Sequence, residues 1–149
     1  MRTFSLAVLL AAAATFSSSC ASTTKCTACA DAQALVETVA KQHPDCTRLT
    51  LHCADDGGAR CCASTMAQRI GKPSDPEDLD AMRTGKPVVL DEAGAIDVTL
   101  PIRAEAGKFH SAVGVTLRGP GLTREMAMSK ATTIAAAVEQ GLKACGDCC

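Results

Sequence analysis

Ile96-Asp97-Val98-Thr99-Leu100-Pro101-Ile102-Arg103 and Phe109-His110-Ser111-Ala112-Val113-Gly114-Val115-Thr116-Leu117, joined through Glu105-Ala106-Gly107-Lys108, decide how this chain folds. In both stretches the apolar residues fall on alternate positions, the period of a strand with one buried face. A short Gly-containing link between two such runs predicts a β-hairpin. Pro101 has no N–H for a ladder, so it predicts a bulge or an edge.

Working outward, Pro87-Val88-Val89-Leu90 leads through Ala93-Gly94 into the first of these strands and predicts a third. Upstream, Arg48-Leu49-Thr50-Leu51-His52-Cys53 alternates again, with Leu49, Leu51 and Cys53 on the buried face and His52 on the other. Asp55-Asp56-Gly57-Gly58 is a turn, and Arg60-Cys61-Cys62-Ala63-Ser64-Thr65 is its hairpin partner. Between the two strand groups, Ser74-Asp75-Pro76-Glu77-Asp78 supplies a cap, a Pro in the first turn and acids suited to a helix's positive end. Gly85 supplies the stop, which predicts a short helix over 76–84. Helical spacing of Leu35, Val36, Val39 and Ala40 predicts a helix over 28–42, ended by His43-Pro44. Thr123 caps a long helix over 124–144, with Met126, Ile134, Val138 and Leu142 as its stripe. Strands joined by hairpins with few crossovers give an antiparallel sheet backed by helices, an α+β domain.

The 149 residues suit one domain, and 47% hydrophobic with 21% charged is the composition of an ordinary globular chain. Aromatics make up 2%, all of them Phe. Without Tyr or Trp there is no stacking platform for single-stranded nucleic acid and no cage for a quaternary amine. The 15 basic and 16 acidic residues balance to −1, which lacks the basic excess of a nucleic-acid binder. These counts point to a small-molecule or protein partner.

Residues 1–19 read as a signal peptide: Arg2, an apolar run from Leu6 to Ala14, then Ser17-Ser18-Ser19. Two cuts fit. Ser19-x-Ala21 is a small-x-small site, whereas Ser18-Ser19-Cys20 resembles the end of a bacterial lipobox, in which Cys20 is diacylated and becomes the new N-terminus. Ser17 departs from the Leu usual in that motif. On the second reading residues 20–27 are a lipidated tether that holds the domain 28–144 at a membrane surface, and 145–149 are a Cys-rich tail. Nothing after residue 20 approaches eighteen continuous apolar residues, so no second span is expected.

Two separated motifs sharpen the fold. Ile70-Gly71-Lys72-Pro73-Ser74-Asp75-Pro76-Glu77-Asp78, running on to Thr84-Gly85-Lys86-Pro87-Val88-Val89, resembles the segment of extracellular Cache (PDC sensor) domains in which a capped helix follows a glycine-containing strand end. Pro101-Ile102, Gly107-Lys108 and Gly114-Val115 resemble the later hairpin of the same PAS-like fold. The resemblance spans roughly residues 30–120. It implies a five-stranded antiparallel sheet flanked by an N-terminal helix, a short crossover helix and a long C-terminal helix. By position it places Arg69, Asp75, Met82, Asp97, Thr99, Arg103 and His110 around the pocket, with Ser64 and Thr65 beside them. Amino-acid recognition is not carried over, because the Tyr and Trp those pockets use are missing. Arg69 or Arg103 could clamp a small carboxylate, against the plainer reading of solvated arginines, and His110 reads as a surface group on a strand. Sensor domains of this family feed a signalling module, so a signalling role here needs an envelope partner.

Ten cysteines remain to be placed. With Cys20 lipidated, nine are left, an odd number, and an exported chain favours disulfides for most of them. Cys53 and Cys61 flank the first hairpin turn and could lie opposite each other, while Cys61 and Cys62 point to opposite faces of one strand and need different partners. Cys26-x-x-Cys29 opens the first helix and Cys145-x-x-Cys148-Cys149 follows the last. If those helices run antiparallel the thiols converge, either as disulfides or as a zinc or other soft-metal site on Cys26, Cys29, Cys145 and Cys148. A dithiol redox role lacks the βαβ context such motifs use. No G-x-S-x-G, H-E-x-x-H or P-loop pattern occurs. The expectation is a non-catalytic, exported, lipid-anchored module that binds a small ligand or a partner and carries no cofactor; the alternative is a thiol-rich metal-binding protein.

Overall fold

The computed structural model describes residues 30–105 and 108–144. The signal peptide, Cys20, the tether and the cysteines at 26, 29, 145, 148 and 149 lie outside the described residues. The elements follow as α1 (Ala30–Lys41), β1 (Cys46–Asp55), β2 (Gly58–Ser64), a 3-10 turn (Ala67–Arg69), α2 (Pro76–Thr84), β3 (Val88–Glu92), β4 (Ala95–Glu105), β5 (Lys108–Leu117) and α3 (Arg124–Ala144). All five strands form one antiparallel sheet in the order β2-β1-β5-β4-β3. The expected α+β architecture of five strands and three helices is what the chain adopts.

The two faces of the sheet differ in chemistry. One carries Leu49, Leu51 and Cys53 of β1, Val113, Val115 and Leu117 of β5, and Ile96, Val98, Leu100 and Ile102 of β4, packed against Val36 and Val39 of α1 and Ile134, Val138 and Leu142 of α3. Each such side chain contributes on the order of 1.5–3 kcal/mol on burial, so this face is the stabilising core. Small residues on α3, Ala127, Ala131 and Ala135, let that helix lie close to the strands. A Cβ on Gly141 would stand 2.3 Å from Leu35 Cδ1, which marks how closely α1 approaches α3. Asp45, just past the end of α1, pairs with Lys130 in the first half of α3. The two helices therefore run antiparallel, and the start of α1 meets the end of α3.

The other face is polar and is covered by α2. Cross-strand register lines up Arg48, Thr116, Asp97 and Leu90 in one row, Thr50, Gly114, Thr99 and Val88 in the next, and His52, Ala112 and Pro101 in a third. Pro101 shows no bulge in the β4–β5 register. It sits beyond Thr99, where β3 stops, so β4 has only β5 as a neighbour there and the edge expectation holds.

A bulge in β2 settles the cysteine geometry. The β1–β2 register shifts between Leu51 and His52, so Ala63 faces Leu51, Cys61 faces His52, and Cys62 is the extra residue. Cys62 and Ala63 both enter the core cluster while Cys61 is buried on the α2 side. The expectation that Cys53 stands opposite Cys61 is corrected: Cys53 is opposite Arg60 and belongs to the core face. Cys46 and Cys61 are thiols, contrary to the disulfide expectation for them. Each donates its S–H to the carbonyl two residues on, at 3.3 Å to Arg48 and 3.4 Å to Ala63.

Candidate functional site

The polar face is built around a carboxylate that α2 lowers onto the sheet. Pro76 opens the helix and Gly85 closes it in the left-handed conformation, with φ 69° and its N–H bonded to the carbonyl of Ala81. These ends fix the helical phase, which turns Asp78, Ala81 and Met82 toward the strands. Asp78 Oδ2 accepts from the backbone N–H of Asp75 at 2.9 Å and lies 3.2 Å from His52 Nδ1 on β1, while Oδ1 is 3.5 Å from Thr99 Oγ1 on β4. The carboxylate thus reaches both strands that flank β5. Between His52 and Thr99, β5 presents only Ala112 and Gly114, and the missing side chains give α2 its room. A Cβ on Gly114 would stand 2.5 Å from Thr50 Oγ1.

Burial governs how this pair titrates. Desolvation pushes the Asp78 carboxyl up to about 6, helped by the like charges of Glu77, Asp75 and Asp97. Desolvation also pushes the His52 imidazole down to about 4, with Arg69 and Arg48 adding to the effect. At neutral pH the imidazole is therefore neutral, and it donates from Nδ1 toward an ionised carboxylate. Ser74 Oγ shares that same nitrogen at 2.9 Å. A hydrolytic triad places its serine and its carboxylate on opposite ring nitrogens, so this trio has no relay geometry. It is a fastening for α2.

A second network runs along the next row. Arg48 reaches over Thr116 to Asp97 Oδ1 at 3.2 Å and to Glu92 Oε1 at 2.8 Å, and Thr116 Oγ1 donates to Asp97 Oδ1 at 2.5 Å. This belt ties β1, β5, β4 and β3 together across the polar face.

Beside these networks α2 leaves an open cleft of about 450 Å³. Its walls are Ala54, Gly58 and Ala59 from the β1–β2 hairpin, Leu79, Met82 and Arg83 with the helix end Thr84-Gly85 from α2, and Phe109 and His110 from β5. Met82 is nearly covered, whereas Leu79 is 46% exposed.

The seven expected pocket residues are divided among four places. Met82 and His110 meet in the cleft. Asp97 and Thr99 are buried in the polar networks. Arg69 and Asp75 pair with each other at the N-terminal end of α2. Arg103 lies on β4 with left-handed backbone, φ 54°, and does not line the cleft. Ser64 and Thr65 bond to backbone, at the N–H groups of Met66 and Leu49. The residues that sequence reading passed over are His52, Asp78 and Phe109. The small pair Ala112 and Gly114, on the polar phase of a central strand, was the available signal for them.

Two of the thiols are quiet. Burial pushes both Cys46 and Cys61 up to about 11, which leaves little thiolate at neutral pH. Among the described residues no group of His, Cys, Asp and Glu is arranged to hold a metal ion. No helix among them is long and apolar enough to cross a membrane.

Comparison with solved structures agrees with the topology. The GAF domain region of a Geobacter sulfurreducens protein is similar over 74% of this chain and 89% of its own, at 14% identity and a TM-score of 0.54. The GAF domain of a phosphoenolpyruvate-protein phosphotransferase from Coxiella burnetii is similar over 78% and 86%, at 18% identity and a TM-score of 0.52. The sensor domain of Escherichia coli DcuS matches over 70% and 71%, at 24% identity and a TM-score of 0.46. For the two GAF domains, at these identities, the likeness is one of fold alone, a GAF-type sheet. No family model and no curated protein matches the sequence.

Proposed function

We propose that this is a non-catalytic sensor-type domain that binds a small molecule in the cleft between α2 and the sheet. The observation that carries the reading is the cleft itself, about 450 Å³ and walled by Met82, Leu79 and Phe109 with His110 and Arg83 as polar groups. Its size lies within the roughly 300–1,000 Å³ of small-molecule sites, and an apolar wall with few polar groups is how such sites are lined. The polar trio beside it has no relay geometry, which supports binding rather than catalysis. Cache-like sensing is the specific form of this reading, and it rests on the two sequence motifs.

The same reading makes residues 1–19 an export signal and Cys20 the lipid anchor, placing the domain at an envelope membrane where a partner protein would read its ligand. Replacing Cys20 by Ser is expected to release the protein from membranes; continued membrane association would refute the anchor.

A thermal-shift screen of small carboxylates and amines tests the cleft. Saturable stabilisation is expected, and Ala59→Trp, which fills the cleft from the hairpin side, is expected to abolish it. Stabilisation that survives this substitution would move the site elsewhere.

A second reading is favoured by one feature, the antiparallel packing of α1 on α3. That arrangement is the condition under which Cys26, Cys29, Cys145 and Cys148 would share a zinc or other soft-metal ion. Elemental analysis after reducing purification, with thiol titration of the oxidised protein, separates the two: one tightly held metal with protected terminal thiols favours this reading, and fully paired, metal-free cysteines refute it.

A further inference from the structure

We infer that the cleft selects a small carboxylate carried on a flat apolar body, an inference that rests on the cleft being the ligand site. The charge of the lining is one-sided. Among the described residues that line it, Arg83 and His110 are the ionisable side chains and none is Asp or Glu. Arg83 pairs with Asp80 one turn back on the same helix, with both side chains about half exposed or more. Exposed pairs of this kind hold their partners weakly, and a guanidinium has five donors, so Arg83 keeps donors for an incoming anion. Among the described lining residues a cationic ligand would find no carboxylate to pair with.

The shape of the body follows from Phe109. Gly85 has φ 69°, and a Cβ there would stand 2.4 Å from Phe109 Cε2, so the edge of the ring is set against the end of α2. A ring held in this way offers a fixed wall for offset stacking of a planar group. Met82 supplies a polarisable, adaptable wall beside it. Leu79, at 46% exposure, is apolar surface at the cleft that such a ligand would cover.

Three near-isosteric probes test this on the full chain at pH 7: phenylacetate, phenethylamine and 2-phenylethanol, titrated by calorimetry with thermal shift alongside. Phenylacetate is expected to bind at least tenfold more tightly than the amine. Arg83→Gln is expected to bring phenylacetate down to the level of 2-phenylethanol, whose own affinity does not change. Arg83 is solvent-exposed, so the variant's fold is not at risk. Equal or tighter binding of the amine, or an acid-to-alcohol ratio that Arg83→Gln leaves unaltered, would overturn the anionic assignment while the cleft stands. If none of the three binds, or Ala59→Trp leaves their binding intact, the cleft reading itself fails and this inference falls with it.

Discussion

His52 Nδ1 and Asp78 Oδ2 lie 3.2 Å apart with side chains only 2% and 5% exposed, and each is held in the protonation state opposite to the one water would favour near pH 5. In the unfolded chain at that pH the histidine is charged and the aspartate ionised. In the fold both are neutral. The consequence for stability is a cancellation. Asp78, raised from 3.8 to about 6, contributes stability that is present below 3.8 and lost as pH rises through 6. His52, lowered from 6.5 to about 4, contributes stability that is present above 6.5 and lost as pH falls through 4.

Between about pH 4 and 6 the two slopes oppose each other, so the wild-type contribution of the pair is expected to be flat there. Single variants expose each arm. Asp78→Asn is expected to gain about 3 kcal/mol of stability as pH rises from 4 to 6.5, and His52→Gln to lose about 3 kcal/mol as pH rises from 4 to 6. Denaturant unfolding across this range reads both slopes; parallel profiles for the two variants would refute the assignment.

Gly114→Ala places a methyl group 2.5 Å from the hydroxyl of buried, β-branched Thr50. Overpacking of this kind costs about 1–3 kcal/mol. The double variant with Thr50→Ala is expected to recover part of that loss, a coupling that independent sites would not show. Chemical denaturation of the four proteins measures it.

Gly85 and Gly121 share nearly the same backbone, φ 69° and 68°, but only Gly85 has a neighbour within reach of a Cβ, the ring of Phe109. Gly121→Ala is expected to cost roughly 1 kcal/mol for the left-handed backbone alone. Gly85→Ala is expected to cost clearly more, and Phe109→Leu to relieve the difference. Equal losses at the two glycines would mean that the helix end does not set the ring.

Cys46 and Cys61, both pushed by burial up to about 11 from an ordinary 9, carry on the order of 100-fold less thiolate than a free thiol at pH 8. Site-resolved mass spectrometry after native-state alkylation is expected to show both protected by at least that factor, with protection lost in denaturant. Alkylation at the rate of a free thiol would contradict their burial.

The sequence was informative wherever the signal is local. Alternation in Ile96–Arg103 and Phe109–Leu117, the Asp55–Gly58 turn, and the Pro76 and Gly85 bounds of α2 each come from neighbours in the chain, and the structure agrees with them. What alternation does not reveal is whether the second face of a strand meets water. His52 is on the polar phase of β1 and yet is buried, because α2 lies over β5, some sixty residues away in sequence from β1. The split of Cys53 from Cys61 likewise depends on one extra residue in β2, Cys62, which shifts register without leaving a mark in the hydrophobic pattern. The expected pocket residues do not share a site: Asp97 is consumed by Thr116 and Arg48 and Thr99 by Asp78 of α2, and only Met82 and His110 reach the cleft.

The most direct test is the methyl resonance of Met82 in protein labelled at its methionine methyl groups. Compounds that stabilise the chain are expected to shift this resonance saturably, with the same affinity as the stabilisation, and Ala59→Trp is expected to remove both effects together. A stabilising compound that leaves Met82 unmoved, or that shifts it equally in Ala59→Trp, would contradict the cleft between α2 and the sheet as the ligand site.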